Sequence, residues 1–256
     1  LYREKNRDII IKNKKEYYKE NKEEIYKRVQ ERKQTYDGTI KNLLGKRKEY
    51  NKKRGHECDL NIEYIENLIK KQNSKCVYCE HDLEIKFNSG NLAQISIDRI
   101  DSSEHYKKSN IQITCIFCNL AKNDLDDSMY KKFIDVLRGK THDFIYTEYR
   151  HIISNLANAC RQGDMRKKYC TEDTISTNQI RELIKKQNNK CAISGIEFIN
   201  AKDRSFPFKM SVDRIDNSKG HTFNNCQLVC LGIQRGKLDK SDNDAIKYVK
   251  EMIQSI

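Results

Sequence analysis

Cysteine spacing is the first feature of this chain that implies chemistry. Cys76 and Cys79 form one C-x-x-C pair and Cys115 and Cys118 form a second, with 35 residues between the pairs. Four thiolates arranged this way are the ligand set of a closed, tetrahedral zinc site. Around the second pair stand polar residues with further uses: Asp98, Arg99, His105, Tyr106, Asn110 and Asn119. Aspartate and asparagine offer hard oxygens to a divalent cation. Arginine clamps phosphate, while histidine and tyrosine accept or pass protons.

Such residues need a frame to hold them. Ile95, Ile97 and Ile100 alternate as in a strand, a polar loop follows, and Ile111, Ile113 and Cys115 alternate again. A helix is expected from Asn119. The stretch from Ser96 to Lys122 thus reads strand, loop, strand, helix. It recurs 115 residues on, from Ser211 to Lys237, carrying Asp213, Arg214, His221, Asn225 and Gln234. Residues 65–124 align with 180–239 without a gap and share 20 of 60 positions. Chance would give roughly a twentieth, so the chain is internally duplicated.

The copies differ where the cysteines stand. In the second, the matching positions are Cys191, Ser194, Cys230 and Ile233. Two ligands are gone, so one zinc per chain is expected, with Ile193, Phe198, Phe206, Phe208 and Val229 packing in place of the other. Cys58, Cys160, Cys170 and Cys226 form no set and read as core or surface thiols.

Before the first copy lies a basic segment. Residues 1–55 hold 19 Lys/Arg against 9 Asp/Glu, which is +10 of the chain's +13. Residues 1–36 read as a helical arm with too few apolar residues to bury a face, so a polyanion such as DNA backbone is the expected partner. Asp37-Gly38 is expected to end that arm. A short basic helix over 40–53, a turn at Gly55 and a helix carrying Ile62, Ile65, Leu68 and Ile69 come next. In the second copy helices are expected over 152–159 and around Ile180, Leu183 and Ile184. The organisation expected is an arm (1–36), a zinc-containing module (37–140) and a second module (141–256), joined by a short linker at 139–150. The fold class is α+β. No apolar run approaches the length of a membrane span, and the lysine- and glutamate-rich N-terminus is no secretory signal. Reduced cysteines in an intracellular protein are therefore expected, in cytoplasm or nucleus or encoded by a phage.

The run Asp98-Arg99-Ile100-Asp101, then Asn110, then Cys115-Ile-Phe-Cys118-Asn119-x-x-Lys122 resembles the HNH, or ββα-metal, endonucleases. It is most similar to the branch found in phage HNH proteins and some HNH restriction enzymes. The resemblance spans both copies and implies hydrolysis of phosphodiesters with one divalent metal, Mg²⁺ or Mn²⁺, per site. It implies Asp98 and Asn119 as metal ligands, with Asp213 and Gln234 as their counterparts, and Asn110 and Asn225 as residues holding the base or its loop. Where the family's usual pattern has a histidine base, this chain has Arg99 and Arg214, which stay protonated and can only clamp phosphate. The base must come from the loop: Tyr106 or His105 in the first module, His221 in the second. Histidine starts near pKa 6.5 and tyrosine near 10, so a tyrosine base needs about 4 kcal/mol of help from neighbouring charge. Lys122 and Lys237 are expected to touch phosphate, and Asp101 and Asp216 to be further metal ligands or, by preference, salt-bridge partners of the arginines.

Three functions are compatible with these features. A DNA endonuclease could break both strands with two modules in one chain, as a monomeric pseudo-dimer of homing or restriction type. A nickase or structure-specific nuclease would have one live module. A zinc protein could also bind nucleic acid without cutting it.

Overall fold

The computed structural model describes residues 4, 6–86, 91–140, 150–199 and 206–254. The basic arm is two helices rather than one: α1 (Arg7–Glu20) and α2 (Lys22–Gln34), broken at Asn21, with no buried residue in either. Its first three residues and residue 5 lie outside the described set. The next break corrects the sequence expectation. Helix α3 (Tyr36–Lys53) starts at Thr35, whose hydroxyl accepts the Gly38 N–H at 3.0 Å. Asp37-Gly38 therefore lies inside the first turn. Gly38 is needed because a Cβ there would collide with the Arg32 carbonyl, not because the chain turns.

Helix α4 (Ile62–Lys71) is capped by Asn61 and buries Ile65 and Ile69. Strands β1 (Ile95–Arg99) and β2 (Ile111–Cys115) pair antiparallel, with Ile97 opposite Ile113 and Asp98 opposite Gln112. Helix α5 (Ile116–Lys122) begins three residues before Asn119, because the Cys115 sulfur accepts the Cys118 N–H and caps it. Helix α6 (Asp127–Leu137) closes this half under an Asp126 cap. The second half repeats the order: α7 (Arg150–Lys167), longer than the expected 152–159, then α8 (Thr177–Lys186), β3 (Met210–Arg214), β4 (Cys226–Cys230), α9 (Leu231–Lys237) and α10 (Asp242–Gln254). The described residues thus form a mixed α+β fold with ten α-helices and two separate two-stranded sheets. Of the expected linker, residues 141–149 lie outside the described residues.

The halves pack through their equivalent helices, α5 and α9. Gly236 lets α9 approach Phe117 so closely that a Cβ would lie 2.6 Å from the ring, and Gly232 does the same for Phe133, at 2.7 Å. Each half's last helix then crosses onto the other. Phe133 of α6 sets its ring edge-on to Phe208, 5.1 Å between centroids, and Tyr248 of α10 stacks 4.6 Å from His81 and 5.2 Å from Phe117. Phe133 and Tyr248 are 115 residues apart, so the contact is reciprocal. It joins the modest cores of two small units into one, which neither could match alone.

Candidate functional sites

The four-cysteine cluster assembles as the spacing implied. The sulfurs of Cys76, Cys79, Cys115 and Cys118 lie within 4.8 Å of one another, all buried. Cys79 and Cys115 are 3.7 Å apart, and a tetrahedron with Zn–S bonds of about 2.3 Å has edges of about 3.8 Å. The pocket can hold a metal ion such as zinc. Hydrogen bonding from Cys115, then from Cys118 and Cys76, holds the Cys79 thiol well below its ordinary range, while burial pushes Cys115 and Cys118 well above it. The matching positions in the second half form no such cluster among the described residues. There the Cys191 sulfur accepts the N–H groups of Cys230 and Ser194, and hydrogen bonding from Cys230 brings its thiol down to about 6. Ile193, Phe198, Phe206, Phe208, Val229 and Ile233 are buried around them, as apolar substitutes should be.

Both hairpins place their aspartate on the face covered by the following helix. Asp98 is 4% exposed, and its Oδ2 takes the Lys122 ammonium at 3.3 Å, the Gln112 amide at 2.9 Å and the Tyr78 hydroxyl at 3.3 Å. Gln112 also donates to Asp127 at the start of α6, and the one Tyr78 hydroxyl hydrogen is shared between Asp98 and the nearer Asp127 oxygen, at 2.6 Å. In the second half Lys237 lies 2.6 Å from Asp213 and 2.5 Å from Asp242, and Gln227 donates to both. The two networks correspond position by position. One difference stands out: Tyr78 becomes Ile193, which cannot donate, so Lys237 and Gln227 bridge the two carboxylates without a hydroxyl. Burial pushes the Asp98 carboxyl above its ordinary range although Lys122 opposes the shift. Burial alone would also raise Asp127, but hydrogen bonds from Lys131, Tyr78 and Gln112 hold it low.

This placement corrects two expectations. Lys122 and Lys237 are wholly buried, so they serve as internal counterions and cannot reach a phosphate on the surface. Asp101 and Asp216 do not pair with the arginines. Each turns its Oδ1 back onto a serine two residues on, Ser103 or Ser218, through both N–H and hydroxyl. Those bonds hold the Asp101 carboxyl low and bring Asp216 to about 2. The arginines instead donate to carbonyls of the same loop, Arg99 to Glu104 and Arg214 to Asn217 and Lys219.

The amides decide what each site can bind. Asn119 donates its NH₂ to the Ser96 hydroxyl and to the Ile97 carbonyl. A carbonyl only accepts, so the amide orientation is fixed and Oδ1 is left without a donor among the described residues. Asp98 likewise makes its bonds through Oδ2 alone. One carboxylate oxygen and one amide oxygen therefore remain for a hard cation, a donor set that fits Mg²⁺ completed by waters and phosphate. Gln234 differs. Its NH₂ donates to the Val212 carbonyl and its Oε1 accepts from the Ser211 hydroxyl, so its amide oxygen is already engaged. The expected metal pair Asp213 and Gln234 therefore offers a divalent cation a poorer donor set than Asp98 and Asn119.

The loop residues are held as the repeat predicts. Asn110 donates to the carbonyls of Asp101 and His105 and accepts the Asp101 N–H; Asn225 does the same with Asp216 and Gly220. Tyr106 is gripped from α3 by Asn51, which bonds both its N–H and its carbonyl. Arg47 and Arg99 lie over its ring, 4.9 and 5.2 Å from the centroid, and Tyr50 meets it edge-on. His105 stacks on His56 at 4.6 Å. His221, at the position equivalent to Tyr106, is gripped by Asp164 of α7, which accepts both its backbone N–H and its ring Nδ1, the latter at 2.7 Å.

Gln112, Asp127, Tyr78 and Asn51, with Gln227, Asp242 and Asp164 in the second half, were not singled out from sequence. Gln112/Gln227 and Asp127/Asp242 keep the 115-residue offset, which is the signal that would have found them. Asn51 and Asp164 are 113 apart and invisible to an ungapped repeat.

Comparison with protein-family models, with curated proteins and with solved structures returned no match to this chain. Among the described residues no helix is long and apolar enough to cross a membrane.

Proposed function

We propose that the chain is a metal-dependent endonuclease of the ββα-metal class acting on DNA, with its metal-dependent centre in the first half. The observation that carries this reading is the pair of uncommitted oxygens, Asp98 Oδ1 and Asn119 Oδ1, on a hairpin–helix unit beside Arg99. A cation held there would stabilise charge on the phosphorane and on the leaving oxygen. Arg99, on the neighbouring loop face, clamps the scissile phosphate. Asn110 keeps that loop closed, and Asn51 fixes the backbone of Tyr106. The Tyr106 hydroxyl has no hydrogen bond among the described residues, and two guanidinium groups flank its ring, so it is placed to take a proton from water. His105 is the competing base, one residue away. The exposed basic helices α1 and α2 supply the affinity for the DNA backbone.

The spent amide of Gln234 favours the reading in which a single module cuts one strand, over two cutting modules. Incubation of supercoiled plasmid with Mg²⁺ or Mn²⁺ tests it. Nicked circles should accumulate, D98N should abolish them, and D213N should leave them. Linear product in which each mutant nicks a different strand would establish two cutting modules instead.

A further inference from the structure

The second half carries a cavity of about 290 Å³ beside its hairpin. This is at the lower edge of the ~300–1,000 Å³ that drug-sized ligands occupy, a size that suits one small anion. Arg166, Lys167 and Arg214 line it together with His221, Ser211 and Gln234, and no carboxylate does. Asp213, whose Oδ2 is held by Lys237, is absent from the lining. A hard cation thus meets no carboxylate oxygen in the cavity wall, whereas an anion meets two guanidinium groups and an ammonium.

His221 gives the cavity its chemistry. Its Nδ1 lies 2.7 Å from Oδ1 of Asp164, a residue that is 0% exposed and also accepts from the Thr174 hydroxyl. A carboxylate can only accept, so Nδ1 carries the hydrogen and Nε2 is the free end. The Asp164 carboxylate meets the ring, Gly163 passes beside it, and Cys160, Arg166, Lys167 and Arg214 line the cavity with it.

We propose that this cavity is a binding site for a phosphate group that works without a divalent cation. Asp164 holds His221 with Nε2 toward the anion. Asp164 is a positioning residue, acting on the ligand through the ring it orients. The identity of the natural ligand as a nucleic-acid phosphate rests on the nuclease reading; the anion site itself does not.

Calorimetric titration of the zinc-loaded full chain, in buffer freed of added divalent ions, tests this directly. Inorganic phosphate and dimethyl phosphate serve as probes, distinguishing a terminal phosphate from a diester. At least one probe should bind. D164N should weaken it tenfold or more, R214Q should weaken it as well, and H221Q, which leaves Asp164 in place, should weaken it to a similar degree. Nitrogen-15 spectra of the parent should show the His221 Nε2 resonance moving as the probe is added. Binding that needs Mg²⁺, a His221 Nε2 resonance unmoved by the bound probe, or a folded D164N that binds as the parent does would each overturn the proposal. Plasmid nicking that persists while neither probe binds rejects this site and leaves the nuclease reading intact; binding without nicking does the reverse.

Discussion

The Tyr248 hydroxyl lies 3.7 Å from the Cys79 sulfur, so the last helix of the second half closes over a thiol of the first half's cluster. His81 stacks on the same ring and faces Glu251 at 3.6 Å. The metal pocket therefore belongs to the interface as much as to its own module. Elemental analysis should find one zinc per chain. Stripping it should raise hydrogen exchange across residues 242–254 as well as around the cysteines, because α10 loses the surface it rests on. Unchanged protection of α10 in the metal-free protein would show that the halves dock independently of the cluster. C76S should destabilise the chain far more than C191S, since only the first removes a ligand.

The Asp98–Lys122 pair allows a stability test separate from catalysis. Both groups are buried, so removing one leaves the other uncompensated, at about 3–5 kcal/mol. K122M alone should cost that much. The double variant D98N/K122M should recover most of it, because replacing both charges of a buried pair is often close to neutral. Denaturant unfolding of the four proteins completes the cycle; additive losses would mean that the pair is not coupled. The double variant should also be inactive with Mg²⁺, as an amide replaces the one carboxylate offered to the cation.

Much of this was legible in the sequence, and the rest was hidden for identifiable reasons. The hairpin–helix frame could be read because isoleucines alternate on both strands, and the cysteine cluster because thiolate spacing is specific. Asn110 and Asn225 were expected to hold the base or its loop because the family resemblance implies that role, and both staple the loop backbone. The lysines were misread because a lysine one turn beyond a ligand position looks like a phosphate contact. Only the fold reveals that the ammonium turns inward onto Asp98 or Asp213. The glycine at 38 looked like a turn signal for a similar reason, since close approach and a chain reversal call for the same residue. Nor does spacing disclose that Gln234 turns its amide oxygen, where Asn119 turns its NH₂, to the serine hydroxyl.

The arm invites a binding measurement. No residue of its two helices is buried, Ile9, Tyr17, Tyr18 and Tyr26 are exposed, and Thr35 is needed to cap α3. Deletion should therefore stop at residue 34. Removing 1–34 ought to weaken DNA binding and reduce the slope of log affinity against log salt, since fewer counterions are released. An unchanged slope would point to a protein partner for these helices.

Asp164 provides the pH dependence. Burial alone would raise its carboxyl, but hydrogen bonds from the His221 ring, from Thr174 and from the His221 N–H outweigh it, and the group is held below its ordinary value. A carboxyl depressed by folding contributes stability that is fully present above the unfolded pKa, near 3.9, and is lost as pH falls through the lower folded value. The stability of the second half should accordingly be insensitive to this group from pH 7 down to about 5 and should decline below about 4. In D164N the uncharged amide still offers an oxygen to the ring but no charge. The substitution should cost about 1–3 kcal/mol at neutral pH, where a charged acceptor is lost from a buried network. The gap between parent and variant should narrow on acidification, as the parent's carboxyl takes up its proton. Exchange protection along α7, measured from pH 7 to pH 3, follows the local effect where other carboxylates would confuse global unfolding. A gap that stayed constant across that range would mean that Asp164 acts by shape alone, and that the His221 ring is not held through its charge.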